Sequence, residues 1–82
     1  MPTAFSPAAL RKARERAGLT QVEASLALGE AQPNVCRHET GAADPSQAMI
    51  ARYADLYHCS VSRFFVRVAE TTSADHQAAA AA

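Results

Sequence analysis

Four side chains in this chain of 82 residues invite metal chemistry: Cys36, His38, His58 and Cys59. Thiolates and imidazoles are the usual zinc ligands, but structural zinc sites leave characteristic gaps within each ligand pair. One residue separates Cys36 from His38 and none separates His58 from Cys59, so the pattern predicts no metal site and no cofactor. The two cysteines read instead as small hydrophobes, and His38 as a partly buried helical residue. An exposed Cys36 would add sensitivity to oxidation.

A second group carries a different chemistry. Gln32, Asn34 and Arg37 lie close together and bear amides and a guanidinium. Such groups form two-pronged hydrogen bonds with base edges in the major groove of duplex DNA, Gln and Asn with adenine and Arg with guanine. Pro33, between them, suits apolar contact with a thymine methyl. Ordinary solvated polar residues would give the same pattern. Upstream, Thr20 precedes a predicted helix whose first amides would welcome a phosphate, and Gln21 carries a neutral donor long enough to reach a backbone oxygen. No glycine-rich phosphate loop and no nucleophile motif occurs, and so short a chain is not expected to hold a large pocket. The reading is therefore not an enzyme.

The elements that must position these residues are helical. Ser6 and Pro7 form a cap-then-proline start for a first helix, with Phe5 placed to pack back onto Leu10 as a hydrophobic staple. Leu10, Ala13 and Ala17 recur at helical spacing and Gly18 supplies the stop. Thr20 and Glu23 have the spacing of a capping box for a second helix, whose inner face is Ala24, Ser25 and Leu28. Val22 and Leu26 lie on another face, either extending the core or leaving an apolar stripe for a partner. Gly29 permits the positive φ of a tight turn. A third helix follows with Pro33 in its first turn, Val35 as inward anchor and a poor cap at Ala31.

Asp44 before Pro45 predicts the start of a fourth helix, with Met49, Ile50, Tyr53, Ala54 and Tyr57 facing the core and Leu56 flanking them. A fifth helix is expected after Ser60. Val61, Phe64, Phe65 and Val68 form an apolar stripe on it, read as core closure or as a dimer interface. A strand over Phe64 to Val68 is the less favoured alternative, because alternation there is poor.

Apolar residues make up 49% of the chain, which suits a globular protein rather than a disordered one. No apolar run approaches the ~20 residues that span a bilayer, so no membrane association is expected. The start has no signal-peptide pattern, and two cysteines without redox spacing fit a reducing, cytoplasmic compartment. Formal net charge is zero, which argues against binding nucleic acid by phosphate attraction alone. Arg11, Lys12, Arg14 and Arg16 nonetheless cluster near the front. The expected organisation is one domain over residues 1–70 and a mobile, alanine-rich tail over 71–82.

Taken together, Gly18-Leu19-Thr20-Gln21, Gly29, Val35, the exit Glu39-Thr40-Gly41, Pro45-Ser46 and the ending from Val61 to Phe65 resemble the phage-repressor and Cro-type (Xre-type, lambda-repressor-like) helix-turn-helix proteins. The similarity runs from about Leu10 to Phe65. It implies an all-α, five-helix bundle that binds double-stranded DNA as a homodimer and controls transcription, with the third helix in the major groove. Carried over by position, Thr20, Gln21 and Thr40 would hold phosphate, while Gln32, Pro33, Asn34 and Arg37 would face bases. Arg14 and Glu39 occupy the places of a structural ion pair.

Three departures stand out. Ala24 and Ser25 replace the family's Leu-Ala, Glu30 replaces an apolar turn residue and puts a charge near phosphate, and the loop from Gly41 to Ser46 carries no basic residue. A modest salt dependence and strong reliance on dimerisation follow. The competing reading is an antitoxin or adaptor that uses the same fold to grip a protein partner, a toxin or polymerase, through Val22 and Leu26 or the stripe after Ser60.

Overall fold

The computed structural model describes residues 3–67. Val68 of the expected apolar stripe and the alanine-rich segment 71–82 lie outside the described residues. Helix α1 (Pro7–Arg16) begins as its sequence dictates: Ser6 Oγ accepts from the Ala9 amide at 3.1 Å, and Pro7 fills the first position. A proline there loses nothing, because the first helical amides have no acceptor inside the helix. Helix α2 (Gln21–Leu28) starts with a complete capping box. Thr20 Oγ1 accepts from the Glu23 amide at 3.1 Å, and the Thr20 amide donates to Glu23 Oε1 at 2.8 Å. It ends at Gly29, whose φ of 69° turns the chain sharply towards helix α3 (Gln32–Thr40). Ala31 gives α3 no side-chain cap, so packing has to hold it in place.

Helix α4 (Gln47–Leu56) starts later than Asp44-Pro45 predicts. Its cap is Ser46, whose Oγ accepts from the Met49 amide at 3.1 Å; Pro45 is buried just ahead of it. Met49, Ile50, Tyr53, Ala54 and Tyr57 are all buried. With Leu10, Ala13, Ala24, Leu28 and Phe64 they form the core. The largest fully buried side chains are Tyr53, Phe64, Leu10 and, on α3, Val35.

The expected all-α, five-helix bundle needs correction. Among the described residues there are four α-helices, and the segment after Ser60 is a single 3-10 turn (Val61–Phe64) followed by a strand. Strand β1 (Thr3–Phe5) and strand β2 (Phe65–Arg67) pair antiparallel, with Thr3 opposite Arg67, Ala4 opposite Val66 and Phe5 opposite Phe65. The N-terminal residues favour this over a helix: they supply a partner strand, and the Ser6 amide donates to the Phe64 carbonyl at 2.7 Å. Phe5 stacks edge-to-face on Phe65 at 6.1 Å as part of the same closure.

The core reading of Val22 and Leu26 is also corrected, since they are 54% and 76% exposed on α2. No helix among the described residues is long and apolar enough to cross a membrane.

Candidate nucleic-acid interface

Helix α3 is held by one charged contact that reaches through the domain. Arg14 on α1 donates from Nε to Glu39 Oε2 at 2.7 Å and from Nη2 to Glu39 Oε1 at 3.1 Å. Its Nη1 donates to the Leu19 carbonyl at 2.7 Å. The guanidinium fork thus ties the end of α3 to α1 and to the loop before α2. A two-pronged arginine–carboxylate pair fixes direction as well as distance. The Glu39 carboxylate raises the Arg14 pKa above its usual value, against the lowering effect of burial.

From this pair a line of amides runs outward. Gln21 Nε2 donates to Glu39 Oε1 at 3.1 Å, and Gln21 Oε1 accepts from Gln32 Nε2 at 2.9 Å. Gln32 is exposed and still presents its carbonyl oxygen and a second N–H, the pair that matches an adenine edge. Two residues on, Asn34 Nδ2 donates to Glu30 Oε1 at 3.1 Å and Asn34 Oδ1 accepts from Arg37 Nη1 at 3.0 Å. Asn34 is therefore half-committed to its neighbours, and Arg37 is steadied at the exposed surface. Pro33 is exposed on the same helix.

The inner face of α3 is anchored by Val35, fully buried, and by His38. His38 Nδ1 lies 2.7 Å from the Tyr53 hydroxyl, with the rings edge-to-face at 5.7 Å. Burial lowers the His38 pKa; the charges of Glu30 and Asp44 act the other way.

A domain model described as a helix-turn-helix domain matches residues 8–64, more than half of the chain. The chain belongs to this helix-turn-helix family. No curated protein matches it. In the helix-turn-helix pair, α2, the Gly29 turn and α3 stand where the sequence places them, and the pair points to a DNA-binding regulator.

The remaining predicted residues are less uniformly placed. Thr20 is exposed, but its hydroxyl serves the capping box; the amides of Gln21 and Val22 are the ones without an acceptor inside the helix. Thr40 is exposed, with its hydroxyl 3.4 Å from the Arg37 carbonyl. Val61 is exposed, Phe65 is half-buried and Phe64 lies wholly within its own chain's core. Cys36 and Cys59 are partly exposed free thiols. No three His, Cys, Asp or Glu side chains come together in a metal-holding arrangement among the described residues.

Sequence reading missed three participants. Glu30, expected to put a charge near phosphate, is an acceptor for Asn34, a contact that its i,i+4 spacing signals. Tyr53, expected to face the core, also reaches His38 through its hydroxyl. Arg52, on α4, donates to the Leu28 carbonyl at the end of α2; no local pattern signals a contact between residues so far apart in sequence.

Proposed function

We propose that this protein is a sequence-specific regulator of transcription that binds a near-palindromic operator as a homodimer, with α3 in the major groove. Gln32, Pro33, Asn34 and Arg37 face the bases, and Thr20, Gln21 and Thr40 take the phosphates. Val61 and Phe65 supply the apolar contact between two chains, while Phe64 closes each core. The observation that carries this reading is the hydrogen-bonded line Gln32–Gln21–Glu39–Arg14. It runs from the outer face of α3 to the helix behind it, so a base-reading amide is aimed before DNA arrives, which reduces the ordering cost of binding.

Footprinting on the DNA flanking the protein's own gene tests the reading, with protection of two half-sites about one helical turn apart expected. Arg37→Ala should weaken binding to that site by about 1–3 kcal/mol while sparing unrelated DNA. A site bound equally well by Arg37→Ala would remove α3 as the reading element.

The exposed pair Val22 and Leu26 favours a second reading, an adaptor or antitoxin that presents α2 to a protein. Leu26→Glu separates the two: it should leave operator binding intact and abolish any protein complex formed through this face.

A further inference from the structure

On a side of the domain to which α3 contributes no residue, the end of α1, the end of α4 and the 3-10 turn enclose an open groove of about 540 Å³. That volume lies within the range of small-molecule sites. Leu19 and Leu56 contribute to an apolar floor, with Ala13 and Ala17 beside them. Tyr57 and Cys59 also line it, the three charged or basic side chains of the lining are Arg16, His58 and Arg63, and among the described residues no acidic one takes part.

Two independent features set these residues apart. Arg11 is paired with Glu15, Arg14 with Glu39, Arg37 with Asn34 and Arg52 with the Leu28 carbonyl. Arg16 and Arg63 have no such acceptor among the described residues, and both line this one groove. The second feature is in the backbone. Left-handed residues occur at four described positions, of which Gly18, Gly29 and Gly41 are glycines and the fourth is His58, with φ of 55°. That position ends α4, where the Cys59 amide donates to the Ala54 carbonyl at 3.0 Å. Glycine would meet the same need without a Cβ penalty. Here the cap places an imidazole in the lining beside two guanidiniums without an acceptor among the described residues.

We infer that this groove is a binding site for a small organic anion, a carboxylate with an apolar body. The head group would be taken by the forked donors of Arg16 and Arg63, a geometry that matches a carboxylate, and the body would cover Leu19 and Leu56. The site is separate from the α3 face, so a ligand held there would leave α3 open to DNA.

The test is an NMR titration of the isotopically labelled full chain with hexanoate, with hexanol as the uncharged analogue and acetate as the head group alone. Saturable shifts are expected at the Leu19, His58 and Cys59 amides and at the Nε–H groups of Arg16 and Arg63. Hexanoate should bind about tenfold more tightly than either control, and the R16Q/R63Q double variant should weaken it by a similar factor. Both arginines are exposed, and the comparison of hexanoate with hexanol on the unaltered chain decides the matter even if the variant folds poorly. Absence of saturation, equal binding of hexanol, an unaffected double variant, or shifts centred on α3 and the start of α2 would each overturn the inference.

Discussion

The shortest contact between α1 and α3 is Arg14 Nε to Glu39 Oε2 at 2.7 Å, between side chains only 10% and 1% exposed. Buried charges cost desolvation, and the pair offsets that cost only because both members are satisfied. Glu39 accepts from Arg14 twice and from Gln21 once. Removing one member strands the other, so Glu39→Ala or Arg14→Ala should each lose about 3–5 kcal/mol of stability. In a domain whose total is on the order of 5–15 kcal/mol, that is a large fraction. Urea denaturation of the single variants and of Arg14→Met/Glu39→Leu checks it. The apolar double variant should be more stable than either single one, because no charge is left unpaired.

The extents of α1 and α2 and the turn into α3 are legible in the sequence because they carry local punctuation. Ser6 and Thr20 cap, Pro7 starts and Gly29 turns, all within three residues of the helix they govern, whereas Asp44-Pro45 set the start of α4 too early and Ser46 caps it. The segment after Ser60 is not legible, because its conformation depends on Thr3–Phe5, some sixty residues away, and strand pairing leaves no periodic trace in three residues. The same distinction applies at the candidate interface. The amide and guanidinium groups of α3 announce themselves by type. Their supports from Gln21, Glu30 and Tyr53 come from other elements and become visible only once the chain has folded.

Two stacked tyrosines, 5.8 Å apart, should behave oppositely on losing their hydroxyls. The Tyr57 hydroxyl is buried with no hydrogen-bond partner among the described residues, whereas that of Tyr53 meets His38. Tyr57→Phe is therefore expected to be neutral or to stabilise by up to about 1 kcal/mol, and Tyr53→Phe to cost about 0.5–1.5 kcal/mol. Chemical denaturation of the two variants under one buffer measures the difference.

The tyrosines also set an alkaline limb. Burial pushes the Tyr57 hydroxyl up to about 12 and raises that of Tyr53 as well. The folded state therefore keeps its protons where the unfolded chain, with tyrosine near ~10, gives them up. That contribution to stability is fully present below about pH 10 and is lost as pH rises through the folded-state values. Stability measured against pH should fall from about pH 10 upward, and Tyr57→Phe should make the fall shallower.

His38 produces the corresponding limb on the acid side. Its pKa is lowered, by burial first, so below the unfolded value of about 6.5 the unfolded chain binds the proton more readily. Stability contributed by the neutral ring is present above that value and is lost as pH falls towards the folded-state pKa. Because the ring joins α3 to Tyr53 on α4, the loss should appear first as weakened seating of α3. Hydrogen exchange of α3 amides at pH values on either side of about 6.5 tests this. In His38→Phe, which keeps a ring against Tyr53 without a titrating nitrogen, exchange should not change across that interval beyond its intrinsic pH dependence.

Gln21 stands between the ion pair and the outer face of α3, and its loss should separate stability from recognition. Gln21→Ala removes one hydrogen bond to the Glu39 carboxylate, at a cost of about 1.5 kcal/mol, the lower end for a charged acceptor because the site is only part-buried. The carboxylate keeps both arginine bonds, so the fold should survive. Gln32 loses its only acceptor among the described residues and is free to rotate. If Gln32 reads adenine, binding to the preferred site should weaken by about 1–3 kcal/mol, while substitution of that adenine should matter less than it does to the unaltered chain. Gel-shift titrations on the preferred and substituted sites measure both quantities. Gln21→Glu serves as the control: it keeps a side chain of the same length but puts a second carboxylate beside Glu39, so it should lose more stability than Gln21→Ala and also lose affinity for every sequence.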